Sequence, residues 1–246
     1  MSIQENPKVQ RWQQEHVLRL ADHFHEYNPA MTQHARVSQY TLNTEAINTI
    51  KKHWKSIQEI SIHLGLKESE TQENTITFAP IFVVKTTEEF TFEMSVRKEV
   101  LGDVHTLKTN VNKNGEFVPK SYVDMVTDNW KTIDFHLVDD LFVVQTDYVP
   151  VRVLSYHFTK EIVSELTKLL GENLLEINLY LGVDMNKFGT TTLPSFTPVY
   201  GFKFSEVSNL DIVQFFQSLT CYKSNDASEA EEIFVQYSSP CPPTCR

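Results

Sequence analysis

The chain has 246 residues, 41% of them hydrophobic, with 22 Lys and Arg against 32 Asp and Glu for a formal charge of −10 at pH 7. That length and composition allow one large folded unit or two small ones and exclude a disordered chain. The acidic surplus, with no basic run anywhere, excludes recognition of nucleic acid or of an anionic membrane through clustered cations. The 7 glycines, at positions 65, 102, 115, 171, 182, 189 and 201, fall far below the roughly 7% of average usage. Their spacing forbids GxGxxG, a GxxxxGK phosphate loop and GxSxG, and so excludes the motif-bearing dinucleotide, P-loop and α/β-hydrolase folds.

The opening MSIQENPKVQRWQQEH is polar throughout, and the strongest apolar runs are PIFVV at 80–84 and LFVV at 141–144. Both are far short of the roughly 20 residues of a membrane span, so the expectation is a cytoplasmic protein with no membrane partner. Asn6-Pro7 pairs a cap with a proline at the first helical position, and Val9, Trp12, Val17, Leu20, Ala21 and Phe24 extend an amphipathic helix to about residue 26. Leu42-Asn43 reads as an apolar residue followed by an N-cap, with Ile47 placed for a hydrophobic staple and Ala46, Ile47, Ile50 and Trp54 forming the apolar stripe. Ile60, Ile62 and Leu64 alternate as a half-buried strand closed by Gly65, and a second strand carries Phe78 and Pro80. Phe90, Phe92, Met94 and Val96 alternate again before a hairpin signal at Asn114-Gly115. Ser121, with Asp124 three residues on, marks the cap of a helix through Val123, Val126 and Trp130 that ends near Ile133.

The same order of elements then recurs. RVSQYTLNTEAINTIKKHWKS (36–56) lies over RVLSYHFTKEIVSELTKLLGE (152–172), matching Arg36 with Arg152, Val37 with Val153, Tyr40 with Tyr156, Glu45 with Glu161 and Lys52 with Lys168. IQEISIHLGL (57–66) lies over LLEINLYLGV (174–183), FAPIFVVK (78–85) over FTPVYGFK (196–203), and FVPKS (117–121) over FVQYS (234–238). A tandem duplication follows. The second copy repeats the cap at Phe158-Thr159, the stripe at Ile162, Val163, Leu166, Leu169 and Leu170, and the alternation Leu175, Ile177, Leu179, Leu181 closed by Gly182. It diverges at Leu210, Ile212, Val213, Phe216 and Leu219, which read as a helix, and SNDASEAEE at 224–232 reads as a solvated loop or helix start.

Candidate chemistry is sparse. His23 and His25 stand two apart and point to different sides of a helix, and His16 lies two turns from His23, about 10.5 Å along the axis, so they read as surface or partly buried histidines. The adjacent carboxylates Glu88-Glu89, Asp139-Asp140 and Glu231-Glu232 alternate in direction on a strand and read as solvated faces rather than acid/base dyads. Arg36 with Arg152 and Tyr40 with Tyr156 read as cross-strand or helix-packing residues. Three cysteines, Cys221, Cys241 and Cys245, are too few for a secreted disulfide framework. Cys241 and Cys245 flank Pro-Pro-Thr in the tail SPCPPTCR, where they can act as an inert docking segment, close a small disulfide ring, or supply two soft ligands to a metal. Matched through FVPKS and FVQYS, this tail corresponds to Tyr122–Asp128, which has no cysteine.

A helix, a capped second helix, a strand ending in EISIHLG or EINLYLG, a second strand and a terminal PCPPxC together resemble a group of uncharacterised bacterial proteins, mostly of a single module. The resemblance covers residues 7–121 once and 122–246 again, and implies no activity. The expectation is an α+β protein of two tandem similar modules, 1–121 and 122–246, each with helices on a small, mostly antiparallel sheet, packed as a pseudo-two-fold pair. Its expected function is non-enzymatic binding of a protein or small molecule at the inter-module groove or the tail, with no cofactor, as a pseudo-dimeric monomer or a homodimer. The alternatives are an enzyme with its site at the same groove, and a thiol or metal protein using Cys241 and Cys245.

Overall fold

Asn6 starts the first helix by accepting a hydrogen bond from the Lys8 backbone N–H at 3.0 Å. The computed structural model describes residues 3–28, 33–68, 76–97, 117–145, 150–169, 173–184, 194–204, 232–236 and 239–241. The helix α1 (Pro7–Gln14) stops well short of residue 26. Glu15 is extended and His16 caps a separate 3-10 run, Val17–Phe24. The tighter three-residue period stacks Ala21 beneath Phe24, both buried, which an α-helical continuation would spread apart. Next come β1 (His25–Asn28), β2 (Gln33–Arg36), β3 (Gln39–Thr41) and α2 (Thr44–His53). Asn43 caps α2, accepting from the Ala46 N–H at 2.8 Å, with Leu42 and Ile47 both buried beside the cap.

The chain continues as β4 (Glu59–His63), β5 (Ile81–Lys85), β6 (Glu89–Glu93), β7 (Ser95–Val96) and β8 (Phe117–Val118). The helix α3 (Lys120–Thr132) begins ahead of Ser121, with Pro119 at the cap position and no side-chain cap bond, so the boundary drawn at 121/122 falls inside a helix. Then follow α4 (Phe135–Val138), β9 (Val143–Gln145), β10 (Pro150–Arg152), β11 (Ser155–His157) and α5 (Lys160–Leu169), where Thr159 Oγ1 accepts from the Ile162 N–H. The remaining strands are β12 (Leu174–Tyr180), β13 (Val183–Asp184), β14 (Ser195–Phe196), β15 (Val199–Phe204), β16 (Glu232–Gln236) and β17 (Ser239–Cys241). Pro80 and Pro198 stand immediately before β5 and β15, where a missing N–H costs no ladder bond. The hairpin signal at Asn114-Gly115 and the helix read over 210–219 lie outside the described residues.

Helices and antiparallel sheets make this an α+β fold. Among the described residues one sheet has five strands in the order β17-β11-β4-β5-β6 and another has six in the order β7-β3-β12-β15-β16-β8. Each sheet draws strands from both halves of the chain. β3 lies on β12 with Tyr40 opposite Leu179, and β11 lies on β4 with Tyr156 opposite Ile62. The segments matched in the sequence, 117–118 and 234–235, pair with each other: Phe234 faces Val118 and Val235 faces Phe117. In place, β6 stands to β5 as β16 stands to β15, and β7 to β3 as β17 to β11. Of the tail, Ser239–Cys241 thus takes beside β11 the place that β7 takes beside β3.

The core sits between the sheets and beneath α2 and α5, which pack on β12 and β4 respectively. At its centre Phe24 and Phe142 stack in parallel, 5.4 Å apart with 2° between their planes. Around them every contact runs twice. Trp12 meets Phe142 and Trp130 meets Phe24, both at 5.0 Å and edge-on. Phe78 tilts on Phe24 at 4.5 Å, and Phe196 on Phe142 at 4.7 Å. The Trp12 indole N–H donates to the Val153 carbonyl at 2.9 Å, and that of Trp130 to the Val37 carbonyl at 2.8 Å. Arg152 donates to the Trp12 carbonyl at 2.6 Å and Arg36 to the Trp130 carbonyl at 2.5 Å, so the two arginines close helix ends in the opposite half. Gly65 and Gly182 leave room for a backbone approach: a Cβ would lie 2.8 Å from the carbonyl oxygen of Ala79 or of Thr197. Trp12→Phe keeps an aromatic ring yet strands the buried Val153 carbonyl, and Trp130→Phe does the same to Val37. Each is expected to lower unfolding stability by about 1–3 kcal/mol in a denaturant titration; an unmoved midpoint would show that the crossing bonds are dispensable.

Candidate functional site

Alternation along β12 sends Ile177 and Leu179 into the core and Glu176, Asn178 and Tyr180 to the opposite, outer face of the six-stranded sheet. Register then assembles a polar row beside them. Glu176 lies opposite Lys203 and Asn178 opposite Gly201 on β15, while Glu232 on β16 faces Lys203. The Glu232 carboxyl leans over Gly201, where a Cβ would collide with its Oε1. It accepts from the Asn178 amide at 3.0 Å and from the Tyr180 hydroxyl at 3.1 Å. Arg97, whose backbone N–H continues the ladder onto Gln39, reaches in from the other side. Its NH1 donates to Glu176 Oε2 at 2.7 Å and to Asn178 Oδ1 at 2.8 Å. Farther along the same face α3 covers the sheet with Val123 and Val126 against Val199 and Phe234, and Tyr180 packs on this patch.

Depth sets the electrostatics. Glu232 is 7% exposed, and burial outweighs the Asn178 and Tyr180 hydrogen bonds, so its carboxyl is held above the usual carboxylate range. Burial and the neighbouring Glu232 both push the Tyr180 phenol up, so it stays a neutral donor. The arrangement is a buried carboxyl at the bottom, a phenol and an amide around it, and a guanidinium paired with a carboxylate at the rim. The equivalent row of the five-stranded sheet is built differently. Val83 lies opposite Ser61 where Gly201 lies opposite Asn178, and Ile3 and Val9 cover Val83 and Ile81.

Sequence reading missed this site. Glu232 was read as the end of a solvated loop and as half of a solvated pair, but it opens β16 and is buried. Asp139 departs from the same reading: it is 7% exposed because its Oδ1 accepts the Ala21 N–H at 2.9 Å. Glu88 and Glu89 are exposed as expected. The available signal was Gly201, a glycine inside the apolar strand VYGFKF, which marks a close approach. The junction between the halves, expected to hold a groove, is filled among the described residues by the aromatic core, because each sheet mixes strands of both halves.

The other candidates resolve individually. His16 caps the 3-10 run, His23 Nδ1 contacts Thr77 Oγ1 at 2.6 Å, and His25 Nδ1 donates to the Ala21 carbonyl at 2.7 Å, so each histidine has a local partner. Tyr40 and Tyr156 are core residues. The backbone of Cys241 belongs to β17, opposite Ser155; Cys245 and Cys221 lie outside the described residues. No helix among the described residues is long and apolar enough to cross a membrane.

Gly201→Ala is expected to destabilise the chain by about 1–3 kcal/mol, because the new Cβ evicts the Glu232 carboxyl. Glu232→Ala in the same chain should recover part of that loss, a coupling that a double-mutant cycle reads directly. A carboxyl whose folded pKa is raised contributes stability that is complete below its ordinary value of 4.5 and is lost as pH rises through the folded value. Melting temperature should therefore fall as pH climbs above 4.5, and Glu232→Gln should make that decline shallower. No family model matches the chain, and neither a curated protein nor a solved structure matches it.

Proposed function

We propose that the chain is a non-enzymatic binding protein, made of one α+β module duplicated in tandem about a pseudo-two-fold axis. On this reading it takes a small carboxylate-bearing molecule on the outer face of the six-stranded sheet. The duplication is supported by the paired bonds: Trp12 with Trp130, Arg36 with Arg152 and Phe24 with Phe142 each make the same contact in opposite senses. The single-module bacterial proteins that the chain resembles would then be the unduplicated form.

The ligand site rests on one observation, a buried carboxyl where the packing calls for none. Glu232 points away from the core, at a place where the other sheet carries an apolar cover, and its burial costs desolvation that a solvated glutamate would avoid. Arg97 NH1 donates to Glu176 and Asn178 at the rim of this site, and a guanidinium is the side chain best shaped to hold a planar anion. A ligand carboxylate paired there brings its polar end toward Tyr180 and Glu232. The raised Tyr180 phenol supplies no phenolate nucleophile, and its hydrogen bond is spent on Glu232, which favours binding over chemistry.

A thermal-shift screen of small carboxylic acids, amides and sugars tests this reading. Carboxylates are expected to raise the melting temperature of the wild-type chain, to do so far less for Arg97→Gln and Glu232→Gln, and to be recovered chemically unaltered. A shift that survives both substitutions, or no shift with any carboxylate, would place the ligand elsewhere; conversion of the bound compound would make the protein an enzyme.

A further inference from the structure

In the five-stranded sheet the two halves of the chain meet at one seam, where β11 lies on β4. Across it Ser155 faces His63 and His157 faces Ser61. Ile60 and Ile62 of β4 point into the core, so His63 stands on the outer face. The His157 ring turns back along its strand, its Nε2 2.9 Å from Ser155 Oγ, and meets the His63 ring edge-on at 5.9 Å. One imidazole from each half thus lies over the seam, and Ser155 beneath them is 2% exposed. The charged neighbours are few. Glu59 on β4 acts on His157, but it also lies opposite Lys85 of β5 and pairs with it at 3.3 Å. β5 otherwise sets Ile81 opposite His63 and Val83 opposite Ser61. Beyond Ile81, Glu93 of β6 pairs with Lys8 of α1 and with Lys67. β17 sets Ser239 opposite His157 and Cys241 opposite Ser155, and a thiol carries no charge in acid. The helix α5 packs against the inner side of β4, where Ile162, Val163 and Leu166 are buried.

We propose that His63 and His157 form an acid-operated latch: as neutral rings they let β11 close on β4, and as cations they part the two strands. Burial, with His157 beside it, pushes His63 down to about 4, and burial lowers His157 as well, so both rings are neutral near pH 7. Among the described residues no carboxylate offsets the burial of His63. Protonation therefore sets two like charges edge to edge over a dry floor, and separation of the strands admits the water that solvates them. A base whose folded pKa is depressed contributes stability that is complete above its ordinary value of 6.5 and is lost as pH falls toward the folded value. The matching seam, β3 on β12, has no such pair: Tyr180 lies opposite Gln39 and Asn178 opposite Thr41. None of these four gains a charge in acid, and the nearby Glu232 carboxyl becomes neutral there, which favours its buried place. Acid thus acts on one seam and spares the other. The Trp12 bond to the Val153 carbonyl, outside the paired strands, keeps the halves joined while β11 lifts.

Glu232 and the histidines move the melting temperature in opposite senses with pH, so the test reads each seam by itself. Hydrogen exchange of the full-length chain, resolved by peptide and corrected for intrinsic rates, is compared at about pH 7.5 and about pH 5. Protection of β4 and β11 is expected to fall at least roughly 10-fold further than that of β3 and β12, since each unit of pKa shift is worth tenfold. In the chain carrying both His63→Gln and His157→Gln the two seams should respond alike. Proton NMR titration of the wild-type histidines reads the same event without substitution, and both imidazoles should take up their protons below pH 6.5, in the range where β11 loses protection. Protection that does not change with pH, or that falls equally at both seams, overturns the proposal. So does a difference between seams that persists without the two histidines, or a pair of imidazoles that titrates at the ordinary value.

Discussion

Phe24 and Phe142 lie face to face at the centre of the molecule, and the rest of the fold depends on the contacts made around that stack. Each tryptophan beside it completes a hydrogen bond with the backbone of the other half, and each arginine closes a helix end in the other half. A buried carbonyl without a donor costs more than a typical bond contributes. Neither half can therefore satisfy its own polar backbone alone. The sheets obey the same logic: β3 finds its partner in β12, and β11 in β4, so each half lends a strand to a sheet centred on the other. The two halves must fold as one unit.

This constraint decides where chemistry can occur. The junction between the halves is packed with aromatic rings among the described residues. Polar groups that converge do so on the outward faces of the sheets, and the two faces have parted company. On one, a glycine at 201 lets a carboxyl lie flat against the backbone, ringed by an amide, a phenol and a guanidinium. On the other, Val83 fills the matching place under Ile3 and Val9, while Ser155, His63 and His157 occupy the end nearest β17. The proposed duplication accounts for one framework with two different outer faces: once the shared core is secured by the paired contacts, those faces are free to diverge.

Much of the local structure was legible in the sequence, for reasons that are themselves local. Asn43 and Thr159 cap helices because a short side chain reaches the nearby N–H groups, whatever lies beyond. Ile60, Ile62, Ile177 and Leu179 announce strands because a pleated backbone sends alternate residues to one side. The reading failed where a distant partner outvoted the local pattern. The periodicity through Leu20 and Phe24 fits an α-helix, but packing under the other half demands the tighter 3-10 spiral. That the FV pairs at 117–118 and 234–235 lie next to each other in one sheet is likewise recorded in no local pattern.

By itself, then, the sequence determined the α+β class, the caps, the alternating strands and their closing glycines, and the exclusion of the glycine-dependent phosphate folds. These depend on spacing and side-chain type within a few residues. Tertiary structure alone decided that β12 completes a sheet with β3, that Glu232 sinks into that sheet's outer face, and that His63 and His157 meet beside the strand bearing Cys241. Those outcomes join residues far apart in the chain. Their register is fixed by which buried faces and backbone groups find partners once both halves close on the aromatic stack, and no local pattern records that.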